Sequence, residues 1–330
     1  MAREKYVVIG SNSFSGASFV AALLRADAEV LVISRSPEAD EVFLPYRWMP
    51  HERFTFRQLD LNRDLDQIDQ VIGDFQPDYV VNFAAQGMVP QSWSCPEHWY
   101  QTNTVAMARL HDRLRKMSFL KKFVQVSTPE VYGSTRGLVR EDAPFNPSTP
   151  YAISKAACDM NLLAFQKAYQ FPVCFTRAAN VCGPGQQLYR IIPKTILCIL
   201  TGKKLRLEGG GHSVRSFIHI DDVAEGTIQV ARQGTPGGVY HLSTDKNQTI
   251  RELVTAICAH MGVAFDDCVE VAEARLGQDA AYLLDCTKAR TQLGWAPRRT
   301  VGDCIRDTAA WLKNNLDHLR TLPAEYIHKP

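Results

Sequence analysis

Residues 123–133 read Phe123-Val124-Gln125-Val126-Ser127-Thr128-Pro129-Glu130-Val131-Tyr132-Gly133, and a second run follows at Tyr151-Ala152-Ile153-Ser154-Lys155. Phe123 to Val126 is a short apolar run, which predicts a buried strand. Ser127, Thr128 and Glu130 then fall at the carboxyl end of that strand, where open α/β sheets hold their ligands. Ser148 or Thr149 can cap the next helix and Pro150 suits its first turn, so Tyr151 and Lys155 lie one turn apart on one face. An ammonium beside a phenol stabilises the phenolate and lowers a pKa that is otherwise about 10. Tyr151 is therefore a candidate acid/base for a sugar or alcohol hydroxyl at neutral pH. A Tyr-x-x-x-Lys pair alone is more often a surface feature at helical spacing. The hydroxyls and carboxylate upstream, after a predicted strand, turn the reading towards catalysis.

The chain before this stretch alternates strands and helices. Tyr6-Val7-Val8-Ile9 predicts a strand leading into Gly10-Ser11-Asn12-Ser13-Phe14-Ser15-Gly16 and an apolar helix through Leu24. A tight glycine turn feeding a helix N-terminus lets backbone N–H groups approach a pyrophosphate. That makes Gly10, Asn12, Ser13, Phe14 and Gly16 candidate cofactor residues, with the Ser13 hydroxyl a possible phosphate donor. Glu29 to Ile33 is a second strand, ending in Ser34-Arg35-Ser36. An acid at that place suits the ribose hydroxyls of NAD, whereas Arg35 beside Ser36 suits the 2′-phosphate of NADP; the competing reading of Arg35 is a solvated loop residue. A third strand from Phe54 to Leu59 delivers Asp60 and Leu61. Tyr79-Val80-Val81-Asn82-Phe83 predicts a buried strand leading to Ala84-Ala85-Gln86-Gly87, and a long helix is expected from about Pro96 to Met117. With the strand at 123–126 and the helix from Pro150, this array predicts a doubly wound parallel sheet.

Here the sequence resembles the extended short-chain dehydrogenase/reductases, whose catalytic hydroxyl, tyrosine and lysine match Thr128, Tyr151 and Lys155. The Thr-x-Glu in S-T-P-E-V-Y-G is similar to the nucleotide-sugar 4,6-dehydratase branch. The resemblance covers nearly the whole chain. The family's G-x-x-G-x-x-G is kept at Gly10 and Gly16, with Ser13 in the middle place. The resemblance implies that Asp60 accepts from the adenine amine, that Ala84 and Ala85 pass close under the nicotinamide ribose, and that Asn103 serves backbone geometry. It also implies a substrate set of Gln86, Asn180, Arg206, Arg215 and Arg275. Asn180 lies in R-A-A-N-V-C-G-P-G (177–185), like the family's N-x-Y-G-P with Cys182 in the tyrosine's place. Arg215 and Arg275 would grip the diphosphate, since a guanidinium fork fits phosphate oxygens bidentately. Arg177 reads as structural and Arg206 as close to the base.

The implied architecture is a Rossmann core over residues 1–178 with returning segments near 215–245. A smaller, interleaved nucleotide-sugar lobe occupies 179–330, and the substrate lies between the two. Strand Val239–Leu242 returns to the core, as does the helix after Thr249, whose Glu252 completes a capping box. Trp295 and the helix after Thr300 read as packing. A tightly bound NADP or NAD, with NADP favoured, and a homodimer or higher oligomer follow from the same resemblance.

Composition excludes other classes. At 330 residues the chain can build one large core or a core plus a smaller lobe. The 37 basic against 35 acidic residues leave a net charge of +2, so no global field points to nucleic acid or membrane. Nine cysteines without C-x-x-C or zinc spacing read as reduced thiols in a cytoplasmic protein with no metal site. No run approaches a signal-peptide core or a membrane span.

The resemblance implies C4 oxidation by Tyr151 and the nicotinamide, loss of water across C5 and C6 with Glu130 as C5 base, and hydride return to C6. Rival readings are a hexuronate decarboxylase, which shares Thr-x-Glu, and a 4-epimerase, which usually lacks a carboxylate at position 130. Intact Thr128, Tyr151 and Lys155 count against a catalytically silent cofactor-binding regulator. The 148–159 segment and Arg275–Asp279 are similar to dTDP-glucose enzymes, while 84–93 and Arg35 are similar to GDP-mannose enzymes.

Overall fold

The apolar runs of the sequence become the strands of one sheet. A computed structural model describes residues 3–135, 137–273 and 283–329. Strands β1 (Lys5–Ile9), β2 (Glu29–Ser34), β3 (Phe54–Gln58), β4 (Tyr79–Asn82), β5 (Lys122–Val126), β6 (Val173–Ala178) and β7 (Val239–Leu242) are all parallel and run in the order β7-β6-β5-β4-β1-β2-β3. The order reverses between β1 and β4, the place where sheets of this kind form a binding crevice beyond the strand ends. Alternation along each strand feeds two layers. Tyr6, Val8, Val30 and Val32 face α1 (Phe14–Arg25) and α5 (Ile220–Gln233). Val7, Ile9, Leu31 and Ile33 face α2 (Leu65–Phe75), α3 (Met107–Leu114) and α4 (Pro150–Tyr169). Burial on both faces explains why these strands read as continuous apolar runs.

A second body forms beyond the carboxyl ends of the strands. Asn180–Cys182, Val214–His219 and Asn247–Thr249 make a three-stranded sheet, and Leu205–Glu208 pairs with Val269–Ala272. Helices Ile191–Leu200, Ile250–Met261 and Val301–Asn314 pack over them around Ile192, Ile196, Phe217, Leu253 and Ile305. Thr249 with Glu252 and Thr300 with Asp303 form complete capping boxes. The chain crosses back in between, since α5 and β7 belong to the large sheet and Trp295 packs in its core.

Three expectations change. The helix after Thr249 does not return to the core with β7: it packs in the second body, where Leu253 and Ile257 share an apolar cluster with Ile192 and Phe217. The helix predicted from 96 to 117 is broken into Pro96–Tyr100, a wider π turn at Gln101–Ala106, and α3. Asn103 is the cause. Its side chain accepts from the Gln86 N–H at 2.8 Å and donates to the Gln86 carbonyl at 3.0 Å and the Ser154 hydroxyl at 2.9 Å. These bonds tie the turn to the loop after β4 and to α4, and the helix widens to reach both. The cysteines are not all reduced thiols. Cys182, at a strand end, and Cys304, in the first turn of Val301–Asn314, share one apolar core with Cα atoms 5.8 Å apart and are joined as a disulfide. The other seven cysteines are free.

Candidate active site

β5 ends at Val126, and the chain then enters a short helical turn, Pro129–Tyr132. Thr128 caps that turn, its hydroxyl oxygen accepting from the Glu130 N–H at 3.2 Å. Thr149 caps α4 in the same manner, accepting from the Ala152 N–H at 3.1 Å, with Pro150 at the first helical position. The cap sets the phase of α4, so Tyr151 and Lys155 present themselves one turn apart. The Lys155 ammonium is buried and donates to the Val126 carbonyl at 2.9 Å. That bond, with the direct packing of α4 on the 129–132 turn, sets the helix that carries Tyr151 and Lys155 against the turn that carries Glu130, at the end of β5. Burial lowers the Lys155 pKa, against the raising influence of Cys158 and Asp159. A charge held out of water acts strongly on its neighbours.

The turn is clamped from beneath by a network the sequence reading did not assemble. Asp159, one turn after Lys155, accepts from the Ser127 hydroxyl at 2.6 Å and from the Arg177 guanidinium at 2.8 Å. Arg177 also donates to the Tyr132 hydroxyl. That hydroxyl lies 2.8 Å from His241 Nε2, while His241 Nδ1 lies 3.0 Å from the Asp285 carbonyl. The imidazole therefore donates through Nδ1 and accepts from Tyr132. Ser127 and Tyr132 bracket Thr128 and Glu130, so one buried ion pair holds both ends of the turn. Arg177 is structural, as read. Asp159 carried a sequence signal, an acid at helical spacing after Lys155, but its partners come from β5 and β6.

The cofactor candidates lie on the loops that follow β1, β2, β3 and β4, around the switch in strand order. Gly10 has φ +91°, and a Cβ there would sit 2.5 Å from the Ala84 nitrogen. A Cβ at Gly16 would lie 2.3 Å from the Gly10 carbonyl oxygen. Only glycines allow this turn, which leaves the α1 N-terminus open to an anionic ligand. The Ser13 hydroxyl is not directed to a phosphate: it donates to the Gly10 carbonyl at 2.7 Å and accepts from the Gly16 N–H at 3.1 Å as the cap of α1. Asn12 donates to the carbonyls of Ser36 and Pro37, fixing the loop after β2, and Phe14 is buried beneath the turn. Asp60 orders the loop after β3 by accepting from the Asn62 N–H at 2.9 Å, and Leu61 is buried beside it. The Ala84 N–H is held by Asn82 at 3.1 Å, and Ala85 follows on the same approach. The residues present fit a nicotinamide dinucleotide.

The substrate candidates come from the second body and the loop after β4. Asn180 opens its strand opposite Phe217. Arg215 is buried on Val214–His219, with one guanidinium nitrogen 2.8 Å from the Val214 carbonyl. Arg206 is exposed on Leu205–Glu208, opposite Glu270. Gln86 is buried, and its amide donates to the Lys329 carbonyl. Arg275 lies outside the described residues. Among the described residues no group of His, Cys, Asp and Glu is arranged to hold a metal ion, and no helix is long and apolar enough to cross a membrane.

This geometry agrees with the comparisons. The GDP-mannose 4,6 dehydratase family model matches residues 7–308. The dTDP-glucose 4,6-dehydratase of Neisseria gonorrhoeae is 33% identical over 284 residues, covering 80% of this chain and 82% of that protein. The dTDP-glucose 4,6-dehydratase of Streptomyces antibioticus is 36% identical over 253 residues, covering 76% and 74%. Among solved structures, DesIV, a dTDP-glucose 4,6-dehydratase from Streptomyces venezuelae with NAD and TYD bound, superposes with a TM-score of 0.88 at 30% identity, covering 95% of this chain and 98% of that one. The chain belongs to the GDP-mannose 4,6-dehydratase family and is a nucleotide-sugar 4,6-dehydratase, an NAD(P)-dependent lyase on the extended short-chain dehydrogenase/reductase fold.

Proposed function

We propose that this enzyme converts a nucleoside-diphosphate hexose into its 4-keto-6-deoxy form, with Thr128, Glu130, Tyr151 and Lys155 as the reacting groups. The observation that carries this reading is the Thr-Pro-Glu turn pinned to the Tyr/Lys helix through Lys155 and Val126. Tyr151 takes the proton of the C4 hydroxyl, with Lys155 favouring its phenolate and Thr128 holding the same hydroxyl. A nicotinamide dinucleotide held by the Gly10–Gly16 turn would supply the hydride acceptor for C4 and the hydride donor for C6. The C4 ketone acidifies C5–H, and the Glu130 carboxylate removes that proton as hydroxide leaves from C6. Pro129 stands between Thr128 and Glu130 and carries no proton, so the leaving hydroxyl draws its proton from another group.

Asn180, Arg206, Arg215, Arg275 and Gln86 are the proposed substrate contacts. Relatives named for dTDP-glucose make that nucleotide sugar the first to test. Incubating the enzyme with dTDP-glucose, UDP-glucose and GDP-mannose, and reading product masses, tests both reaction and substrate. Loss of one water from one of them is the expected result. Between the two cofactors, Arg35 favours NADP. Identifying the dinucleotide that copurifies, before and after Arg35→Asp, tests that choice. If NAD copurifies and the substitution changes nothing, the argument from Arg35 fails.

The same reading makes the enzyme a homodimer or higher oligomer in the cytoplasm. Seven free thiols suit a reducing compartment. Tyr100, Val105, Ile153 and Met160 are exposed on the 96–114 segment and α4, which suits a second copy of the chain. Light scattering that returned a 37.0 kDa particle would contradict the dimer.

A further inference from the structure

The final described residues run across the molecule. Leu319 is buried in the second body, and Glu325 pairs with Lys194 there at 2.9 Å. The Tyr326 ring meets Tyr189 edge-on, centroids 5.6 Å apart. Within three residues the chain has reached the helix Pro96–Tyr100, which packs on α4. The His328 ring stacks on Trp99 at 5.1 Å and 11°, and its Nε2 lies 2.9 Å from His98 Nδ1. The Lys329 carbonyl then accepts two hydrogen bonds, from Arg35 at 2.9 Å and from Gln86 at 2.7 Å.

Those two donors locate the carbonyl. Arg35 follows β2 and Gln86 follows β4, and β1 lies between these strands. A single oxygen held by both therefore sits across the mouth of the β1–α1 turn, Gly10 to Gly16. We propose that residues 325–329 are part of the dinucleotide site, a strap that spans the crevice and retards exchange of the cofactor.

This inference rests on the dehydratase reading, which gives the strap a purpose. The sugar is oxidised early and reduced late by one dinucleotide, so a cofactor lost between those steps leaves the site in the wrong redox state. The strap is also built to open. Ile327 is 63% exposed, and its neighbours hold on through rings and hydrogen bonds, with no deeply buried anchor between 325 and 329.

The test uses the full chain with Tyr326→Ala and His328→Ala together, which cuts the anchors on both sides and leaves the reacting groups and the Gly10–Gly16 turn untouched. Dissociation of the bound dinucleotide is followed by chase with an excess of a fluorescent analogue. With the ring contacts to Tyr189 and Trp99 removed, dissociation should speed up by about tenfold. A chain ended after Ala324, shown by circular dichroism to be folded, should behave the same way. Dissociation at the parent rate, or slower, in both variants would overturn the strap. If the parent protein bound no dinucleotide at all, the cofactor reading would fail and the strap with it.

Discussion

Thr128 caps the turn that carries Glu130 with its hydroxyl oxygen, and in the proposed reaction the same hydroxyl holds the sugar's C4 hydroxyl. Glu130 is the second residue of that turn, and the cap holds its backbone N–H. Replacing Glu130 by Gln keeps shape and removes basicity. The expected result is intact C4 oxidation, a 4-keto sugar that accumulates on the enzyme, no solvent deuterium at C5, and turnover lower by about 10²–10⁴-fold. Tyr151→Phe should differ by abolishing C4 oxidation itself. Normal C5 exchange in Glu130→Gln would make Glu130 a structural loop carboxylate. At this scale the sequence was informative where spacing is local. Tyr151 and Lys155 are four apart on a helix, and Thr128, Pro129 and Glu130 are consecutive. Ser13 was harder, because a hydroxyl in a glycine turn serves a phosphate or a helix cap equally well until its angles are known.

Elements meet at the Arg177–Asp159 pair, which joins β6 to α4 and, through Ser127 and Tyr132, to the end of β5. Removing one member of a buried pair leaves the other charge uncompensated. Asp159→Ala should therefore cost about 3–5 kcal/mol in urea denaturation, with turnover falling as the turn loosens. A loss below about 1 kcal/mol would show that the pair is dispensable. Nothing in the sequence announces this pairing, since the partners are 18 residues apart and their contact depends on how β6 lies beside β5. The strands themselves were legible, because double burial writes them as apolar runs. The break in the 96–114 segment was not. The bonds of Asn103 to Gln86 and Ser154 are tertiary, and helical periodicity passes smoothly through a single widened turn. The Cys182–Cys304 disulfide has the same origin, 122 residues of separation closed by packing.

For the molecule as a whole, two buried histidines tie stability to pH. Burial pushes His111 and His241 from the usual 6.5 down to about 3, with the nearby positive charges of Lys155 and Arg177 acting in the same direction. Below 6.5 the unfolded chain takes up protons that the folded chain refuses. The stabilisation is therefore complete above 6.5 and drains away as pH falls towards about 3, by up to about 1.4 kcal/mol per pH unit for each histidine. Urea midpoints measured from pH 7 to pH 5 should fall, and His111→Gln should flatten the dependence. An unchanged slope in that variant would mean that His111 is protonated in the folded state. The return of strand Val239–Leu242 to the large sheet was legible as an apolar run, whereas the path of residues 325–329 was not. Their contacts with Arg35, Gln86 and Trp99 span more than two hundred residues of chain and follow no local pattern.

An active site that oxidises C4, eliminates water and reduces C6 must carry hydrogen from C4 to C6 within one turnover. The direct measurement is turnover of dTDP-glucose carrying deuterium at C4, in ordinary water, with the product examined by mass spectrometry and NMR. The prediction is a product lighter by one water, with the deuterium moved from C4 to C6 and the C5 position open to solvent hydrogen. Deuterium that stays at C4 or returns to it with no loss of water would identify an epimerase and contradict the claim.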